Sequence, residues 1–409
     1  MVGLVEKAPA LNKVLKARQN LAGVAYHTPL DYSRTFSELT GNTVYLKLEN
    51  MQKTGSFKIR GAYNKILNLT EGERARGVIA ASAGNHAQGV ACAAARAGIK
   101  STIVMPEGAP ISKVMATRGY GAQVVLSGRD YDDAYQQAQA LQQETGSVFI
   151  HGFDDLEVIT GQGTIALELL DDLPDVEAVL VPVGGGGLIA GISFGLKQLK
   201  PRTRIIGIQA AGAPAVCLSF QEGRLHESSS TSTFADGIAI RKPGQVTFNL
   251  IRHYVDEMLT VTDEEIAGAI LMLLERSKIV VEGAGAVGLA ALLQRKTCLN
   301  GVKTAVVLSG GNIDMNIISI IIERGLVNSG RYVILHTIID DKPGSLQKLL
   351  AVIAETRANV IAVKHDRINP TVPLKQAEVR LTLETKDRDH IKQIRTALAE
   401  SDYETEIIS

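Results

Sequence analysis

Over residues 43–309 short runs of apolar, mostly β-branched residues alternate with longer stretches whose apolar positions recur at helical spacing. That rhythm predicts parallel strands joined by helical crossovers, an α/β fold. Strands are expected at 44–48, 77–81, 101–105, 123–126, 147–150, 178–183, 204–209 and 304–308. Most are apolar at every position, as strands covered on both faces are. Residues 87–97, 111–118, 131–145 and 262–276 read as helices, the last opening on a capping box of Thr262 and Glu265. Residues 1–23 read as an amphipathic first helix.

After Glu323 the texture changes. Residues 324–331 hold two glycines, Asn328 and Ser329, and strict alternation begins at Tyr332. A domain boundary is expected there, dividing 1–325 from 330–409. The tail reads as strand 332–339, helix 345–356, strands 359–368 and 376–384, helix 389–400 and strand 403–408, a βαββαβ ferredoxin-like unit. Its strands alternate, as in Glu378-Val379-Arg380-Leu381, so one sheet face is wet or covered by a partner.

Composition narrows the function. Across 409 residues, 43 Lys and Arg balance 43 Asp and Glu. No long-range field then favours nucleic acid or an anionic membrane. Cys92, Cys217 and Cys298 lie far apart with no CxxC spacing, so neither a disulfide framework nor a zinc site is indicated, and a cytoplasmic setting is expected. Charges scattered through residues 1–23 interrupt any secretory apolar core. The uncharged run 178–196 is broken by Pro182 and four glycines, which predicts strand, loop and helix rather than a membrane span.

Gly184, Gly185, Gly186 and Gly187 follow an apolar strand and open a helix, a backbone arrangement that curls around a phosphate. Gly185, Gly187 and Ala190 also satisfy a loose dinucleotide fingerprint, but the next strand ends in Gln209 where a ribose-binding acid is expected. Lys58, amid small and apolar residues at a helix start, is a Schiff-base candidate, with a surface lysine as the bland alternative. The loop Ser82, Ala83, Gly84, Asn85, His86 offers small donors suited to a carboxylate, and the His86 side chain reads as a hydrogen-bonded support for it. Ser309 ends a further apolar strand in a turn of two glycines and Asn312. A phosphate loop, a carboxylate loop, a shielded lysine and an isolated hydroxyl, mostly at strand ends, are the needs of pyridoxal phosphate holding an amino acid.

In these motifs, in Thr28-Pro29-Leu30 and in Glu282-Gly283-Ala284-Gly285-Ala286, the chain resembles the threonine ammonia-lyases over residues 20–320. These are fold-type II, tryptophan-synthase-β-like pyridoxal-phosphate enzymes of two parallel-sheet lobes, the smaller here about 52–150. The tail, through Asp341-Lys342-Pro343-Gly344-Ser345-Leu346, resembles an ACT regulatory domain. The resemblance implies that Lys58 carries the cofactor and serves as catalytic base. Phe57 would pack beside the ring, Asn85 bond its hydroxyl, Gly184 to Gly187 hold the phosphate, and Ser309 face the pyridine nitrogen. It implies conversion of L-threonine to 2-oxobutanoate and ammonia, with L-serine to pyruvate as a side activity. It further implies an isoleucine or valine effector at Asp341, Gly344, Ser345 and Leu346, a homotetramer, and room for a monovalent cation. Similar serine racemases carry a second serine where this chain has Ala83, and acidic metal ligands near Gln209, Ala213 and Ala215. Racemisation and a divalent metal site are therefore not expected. A serine lyase, a dinucleotide protein and a non-catalytic amino-acid sensor are the alternatives.

Overall fold

A computed structural model of the chain describes residues 10–408, in two units, one ending at Ile313 and one beginning at Asp314. In the first, a six-stranded sheet runs in the spatial order Leu30–Tyr32, Thr43–Lys47, Lys303–Val307, Ala178–Pro182, Arg204–Ala210, Glu257–Val261. Only the outermost pair, Leu30–Tyr32 with Thr43–Lys47, is antiparallel. Ala178–Pro182 is buried at every position because both faces are covered. Val179 and Val181 meet Leu188, Ile189 and Ile192 of the helix Gly187–Leu199. On the other face the helix Gly283–Leu293 comes so close that a Cβ on Gly288 would lie 3.0 Å from Val306 and 3.5 Å from Leu180.

A second, wholly parallel sheet runs Gln123–Leu126, Ser101–Met105, Val78–Ala81, Val148–Phe149. Alternate residues face opposite layers. Ile79, Ala81 and Val104 pack on the helix Tyr131–Thr145 through Ala134 and Ala138. Val78, Ala80, Ile103 and Met105 pack on the helices Lys58–Leu67 and Asn85–Ala97.

The eight expected strands all form, with ends displaced by a residue or two. Two strands were not foreseen. Leu30–Tyr32 is three residues long with a single neighbour, and Glu257–Val261 is an edge strand half open to solvent, so neither writes an apolar run. The capping box forms, with Thr262 accepting from the Glu265 N–H and Glu265 bonding back to the Thr262 N–H. That helix ends at Met272 in a wider turn over Leu273–Ser277, shorter than the pattern suggested. The first helix is Leu11–Leu21, with Ala22 and Gly23 already in a turn; residues 1–9 of that expectation lie outside the described residues.

The second unit opens with the helix Met315–Asn328, which runs into the segment 324–331 where the domain boundary was expected. An interior glycine costs a helix only about 1 kcal/mol, and Gly325 does not break this one. The expected βαββαβ order follows. Its four strands form one antiparallel sheet ordered Asn359–Asp366, Gln376–Glu384, Tyr332–Asp340, Thr405–Ile407. Val379, Leu381 and Leu383 bury against the helices Ser345–Glu355 and Arg388–Glu400, leaving the opposite face polar and partly open.

Candidate active site

The motif-bearing loops lie at the carboxyl ends of parallel strands, where the chain leaves each sheet. Strand Lys303–Val307 delivers Ser309, and the segment before Lys58 is laced to it. Phe57 donates its N–H to Ser309 O at 3.1 Å, Ser56 bridges Gly310, and Gly311 donates to Gly55 O at 2.9 Å. The helix Lys58–Leu67 starts from that anchor. Arg60, in its first turn, is buried and holds Glu49 with two bonds of 2.7 and 2.8 Å and Glu168 with two of 2.6 and 3.0 Å. Lys47 reaches Glu168 at 2.7 Å, so two buried cations meet two buried carboxylates. Burial by itself would lower the Arg60 pKa, but Glu49 and Glu168 outweigh it and raise it.

Lys58 Nζ donates to Gly152 O at 2.9 Å and lies 5.1 Å from the centre of the Phe57 ring. Burial lowers its pKa to about 8, partly opposed by the carboxylate of Glu282. A neutral amine is therefore available near neutral pH, which nucleophilic and general-base chemistry require. Gly89, one turn beyond Asn85, lets the two helices meet here: a Cβ on it would lie 2.9 Å from the Lys58 Cβ.

Asn85 opens the helix Asn85–Ala97, and the N–H groups of Ala83, Asn85, His86 and Ala87 find no acceptor among the described residues. Ser82 Oγ accepts from the Gly84 N–H at 3.1 Å and shapes the turn. The His86 ring is buried on Ile150 O at 2.8 Å; burial, then the charge of Lys58, depress its pKa to about 3. Its imidazole is thus a neutral strut under a loop of free donors. Asn85 donates to Glu282 at 2.6 Å and accepts from Asn312 at 2.7 Å.

The glycine loop gives a physical test of whether a phosphate fits. The N–H groups of Gly184 to Leu188 have no acceptor among the described residues, and they cluster at the start of the buried helix Gly187–Leu199. Unpaired buried donors at a helix N-terminus call for an anion. Side chains are impossible at two of these positions: a Cβ on Gly185 would overlap the Phe153 ring, and one on Gly187 would lie 2.9 Å from the Phe153 Cα. Phe153 follows the Gly152 carbonyl that holds Lys58, so one short loop joins the amine to the glycine cradle. Asp154 fixes that loop by accepting from the N–H groups of Gln245, Val246 and Thr247 at 2.9–3.1 Å. Ser309 is 3% exposed and its hydroxyl has no partner among the described residues. An anion cradle, an amine of lowered pKa, free donors at a second helix start and an unpaired hydroxyl fit pyridoxal phosphate.

Sequence reasoning missed four parts of this site. Glu282 was noted only as part of a resemblance, yet it is buried against Asn85 with its pKa raised to about 7, by burial first and by Asp236 second. Asn312 was noted only as part of the Ser309 turn, with no role, and the Gly152 carbonyl carries no signal in the local pattern. Glu49 and Glu168, the partners of Arg60, were not singled out. Gln209, considered as a position for a metal ligand, is fully buried and accepts from the Cys217 N–H at 2.7 Å. A surface cavity of about 380 Å³ beside Glu38, Asn42 and Arg295 lies at the amino ends of the strands, opposite to this chemistry.

In the second unit the turn expected to take an effector starts the helix Ser345–Glu355, with Gly344 left-handed at φ +90°. Ser345 donates its N–H to Lys342 O at 3.2 Å, and Leu346 packs at the edge of the core. Arg367 holds the Asp341 carboxylate through Nε at 2.8 Å and a terminal nitrogen at 2.6 Å.

Residues 22–310 match the family of pyridoxal-phosphate dependent enzymes. The chain is 53% identical over 398 residues to an L-threonine ammonia-lyase of Thermotoga maritima, covering 97% of this chain and 99% of that one. It is 51% identical over 382 residues to an L-threonine ammonia-lyase of Geobacter sulfurreducens, covering 93% and 95%. Among solved structures, the processed form of threonine deaminase isoform 2 from Solanum lycopersicum is similar at a TM-score of 0.73 and 37% identity, covering 77% of this chain and 94% of that one.

Proposed function

The chain belongs to the pyridoxal-phosphate-dependent enzymes, and we infer from that membership and from the site geometry how it deaminates L-threonine to 2-oxobutanoate and ammonia. The observation that carries the residue assignment is Lys58, held on Gly152 O between two helix starts whose N–H groups are unpaired. Gly184 to Gly187 hold the cofactor phosphate. Phe57 packs beside the ring, Asn85 donates to its hydroxyl oxygen, and Ser309 Oγ bonds the pyridine nitrogen. The N–H groups from Ala83 to Ala87 bind the substrate carboxylate, orienting the α-C–H toward Lys58. When bound, the cofactor supplies an electron-withdrawing ring that acidifies this C–H. Lys58 Nζ takes the proton, its pKa near 8 keeping the neutral base accessible. A neutral Ser309 hydroxyl favours prompt loss of the β-hydroxyl over longer-lived carbanion chemistry, because it does not stabilise a protonated ring nitrogen as a carboxylate would. L-Serine, lacking one methyl, is the expected side substrate.

The second unit serves as an ACT-type sensor in this reading. The turn Asp341 to Leu346 receives isoleucine or valine, with Arg367 exchanged from Asp341 as the effector's ammonium arrives. The active assembly is a homotetramer in the cytoplasm; no helix among the described residues is long and apolar enough to cross a membrane. The experiment is keto-acid release from L-threonine by the reconstituted chain and by Lys58→Ala. Wild type should turn over and the variant should not; turnover by Lys58→Ala without an added amine removes Lys58 from its role.

A further inference from the structure

We propose that Glu282 and Asn312 are positioning residues that lock the Asn85 amide in one orientation, so that Asn85 meets the cofactor only as a hydrogen-bond donor. The proposal rests on the reading that Asn85 faces the cofactor ring, and it concerns groups to which nothing so far gives a role.

The orientation follows from one backbone carbonyl. Thr54 O can only accept, so the Asn312 atom 2.8 Å from it is the amide nitrogen. That same nitrogen lies 2.7 Å from Asn85, and two amide nitrogens cannot face each other, so the Asn85 atom is its oxygen. The nitrogen of Asn85 therefore points the other way, 2.6 Å from Glu282 Oε1. Both protons of Asn312 are used, one proton of Asn85 is used, and the remaining proton of Asn85 is the free end of the relay. Glu282 terminates it firmly because its own N–H is held by Gly310 O at 3.0 Å and its carbonyl accepts from the Gly285 N–H at 2.9 Å where the helix Gly283–Leu293 begins. Lys58, Lys113 and Asp236 are the charged groups that act on Glu282. With its proton on the other oxygen, Glu282 Oε1 still accepts, so the direction survives protonation.

The surrounding backbone is cleared for this arrangement. A Cβ on Gly310 would overlap Glu282 Oε1 and come within 3.1 Å of the Asn85 nitrogen. A Cβ on Gly55, where φ is +69°, would overlap the Asn312 carbonyl oxygen and lie 2.9 Å from its Cγ. A group bound against Asn85 must then present an acceptor, which the ring oxygen of the cofactor would supply.

The test is the dissociation constant of pyridoxal phosphate for the full chain stripped of cofactor, read by fluorescence titration. Asn312→Asp keeps the volume but sets lone pairs against Thr54 O and Asn85 Oδ1. It should weaken binding by about tenfold or more, and by more than Asn312→Ala. Glu282→Gln keeps an acceptor and should stay within about threefold of wild type, whereas Glu282→Met should lose about tenfold. An Asn312→Asp chain that binds as wild type does, or better than Asn312→Ala, overturns the proposal. So does Glu282→Met matching Glu282→Gln. Wild type that fails to bind pyridoxal phosphate overturns the functional reading instead.

Discussion

Burial holds the Lys58 amine near a pKa of about 8 in the folded chain, against 10.5 for an unburied lysine. Between those values the unfolded chain binds more protons than the folded one, so the cofactor-free protein gains stability as pH rises through that window. Below about pH 8 the full penalty of burying the ammonium is present. Lys58→Met removes it. The variant should melt at a higher temperature than wild type at about pH 7, and the gap should shrink steadily from about pH 8 towards 10.5. A gap independent of pH in thermal melts of the two apo chains would show that the lysine is not desolvated. A desolvated amine is what this chemistry requires, and it marks the position where stability is given up for reactivity.

At the scale of elements, the helix Lys58–Leu67 is tied to the larger sheet by charge rather than by apolar contact alone. Arg60 bridges Glu49, beyond the strand Thr43–Lys47, and Glu168, on the helix Thr164–Asp172. Removing Arg60 leaves Glu49 without its counter-charge and Glu168 with Lys47 alone, and breaking such a buried pair costs about 3–5 kcal/mol. Arg60→Met should lower stability by that amount in denaturant unfolding. Because Lys58 is two residues away, it should also reduce kcat more than it raises the KM for threonine. Arg60→Lys restores the charge but not the paired geometry, and should recover only part of the loss. A variant of unchanged stability would mean that the cluster contributes nothing net.

For the whole molecule, the change of architecture at Asp314 predicts a separable response. A chain ending at Ile313 keeps every residue assigned to the site and should retain threonine turnover. The full chain should shift its half-saturating threonine concentration when isoleucine is added, by a factor of about 5–150, the usual range of allosteric coupling. The shortened chain should show none. Inhibition of the shortened chain by isoleucine would place the effector in the first unit and take the sensor role from the second.

Local pattern determined much of this protein. Apolar runs wrote the buried strands because a strand covered on both faces has no polar side to show. Alternation wrote the second unit's sheet because one face stays wet. Lys58, the Asn85 loop, the tetraglycine and Ser309 were legible because each sits in a turn whose small residues leave backbone donors exposed. Only the tertiary structure decided how these parts are held. Asn85 finds Glu282 across 197 residues of chain and Asn312 across 227, while Lys58 finds Gly152 across 94. Periodicity reports which face of an element is buried, and nothing about which distant polar group will meet it there. The loop around Phe153, the Arg60 cluster and the Arg367 pair on Asp341 stayed hidden for the same reason. A charged residue reads as surface until chain closure brings its counter-charge into the same dry space, and that closure is a property of the fold as a whole.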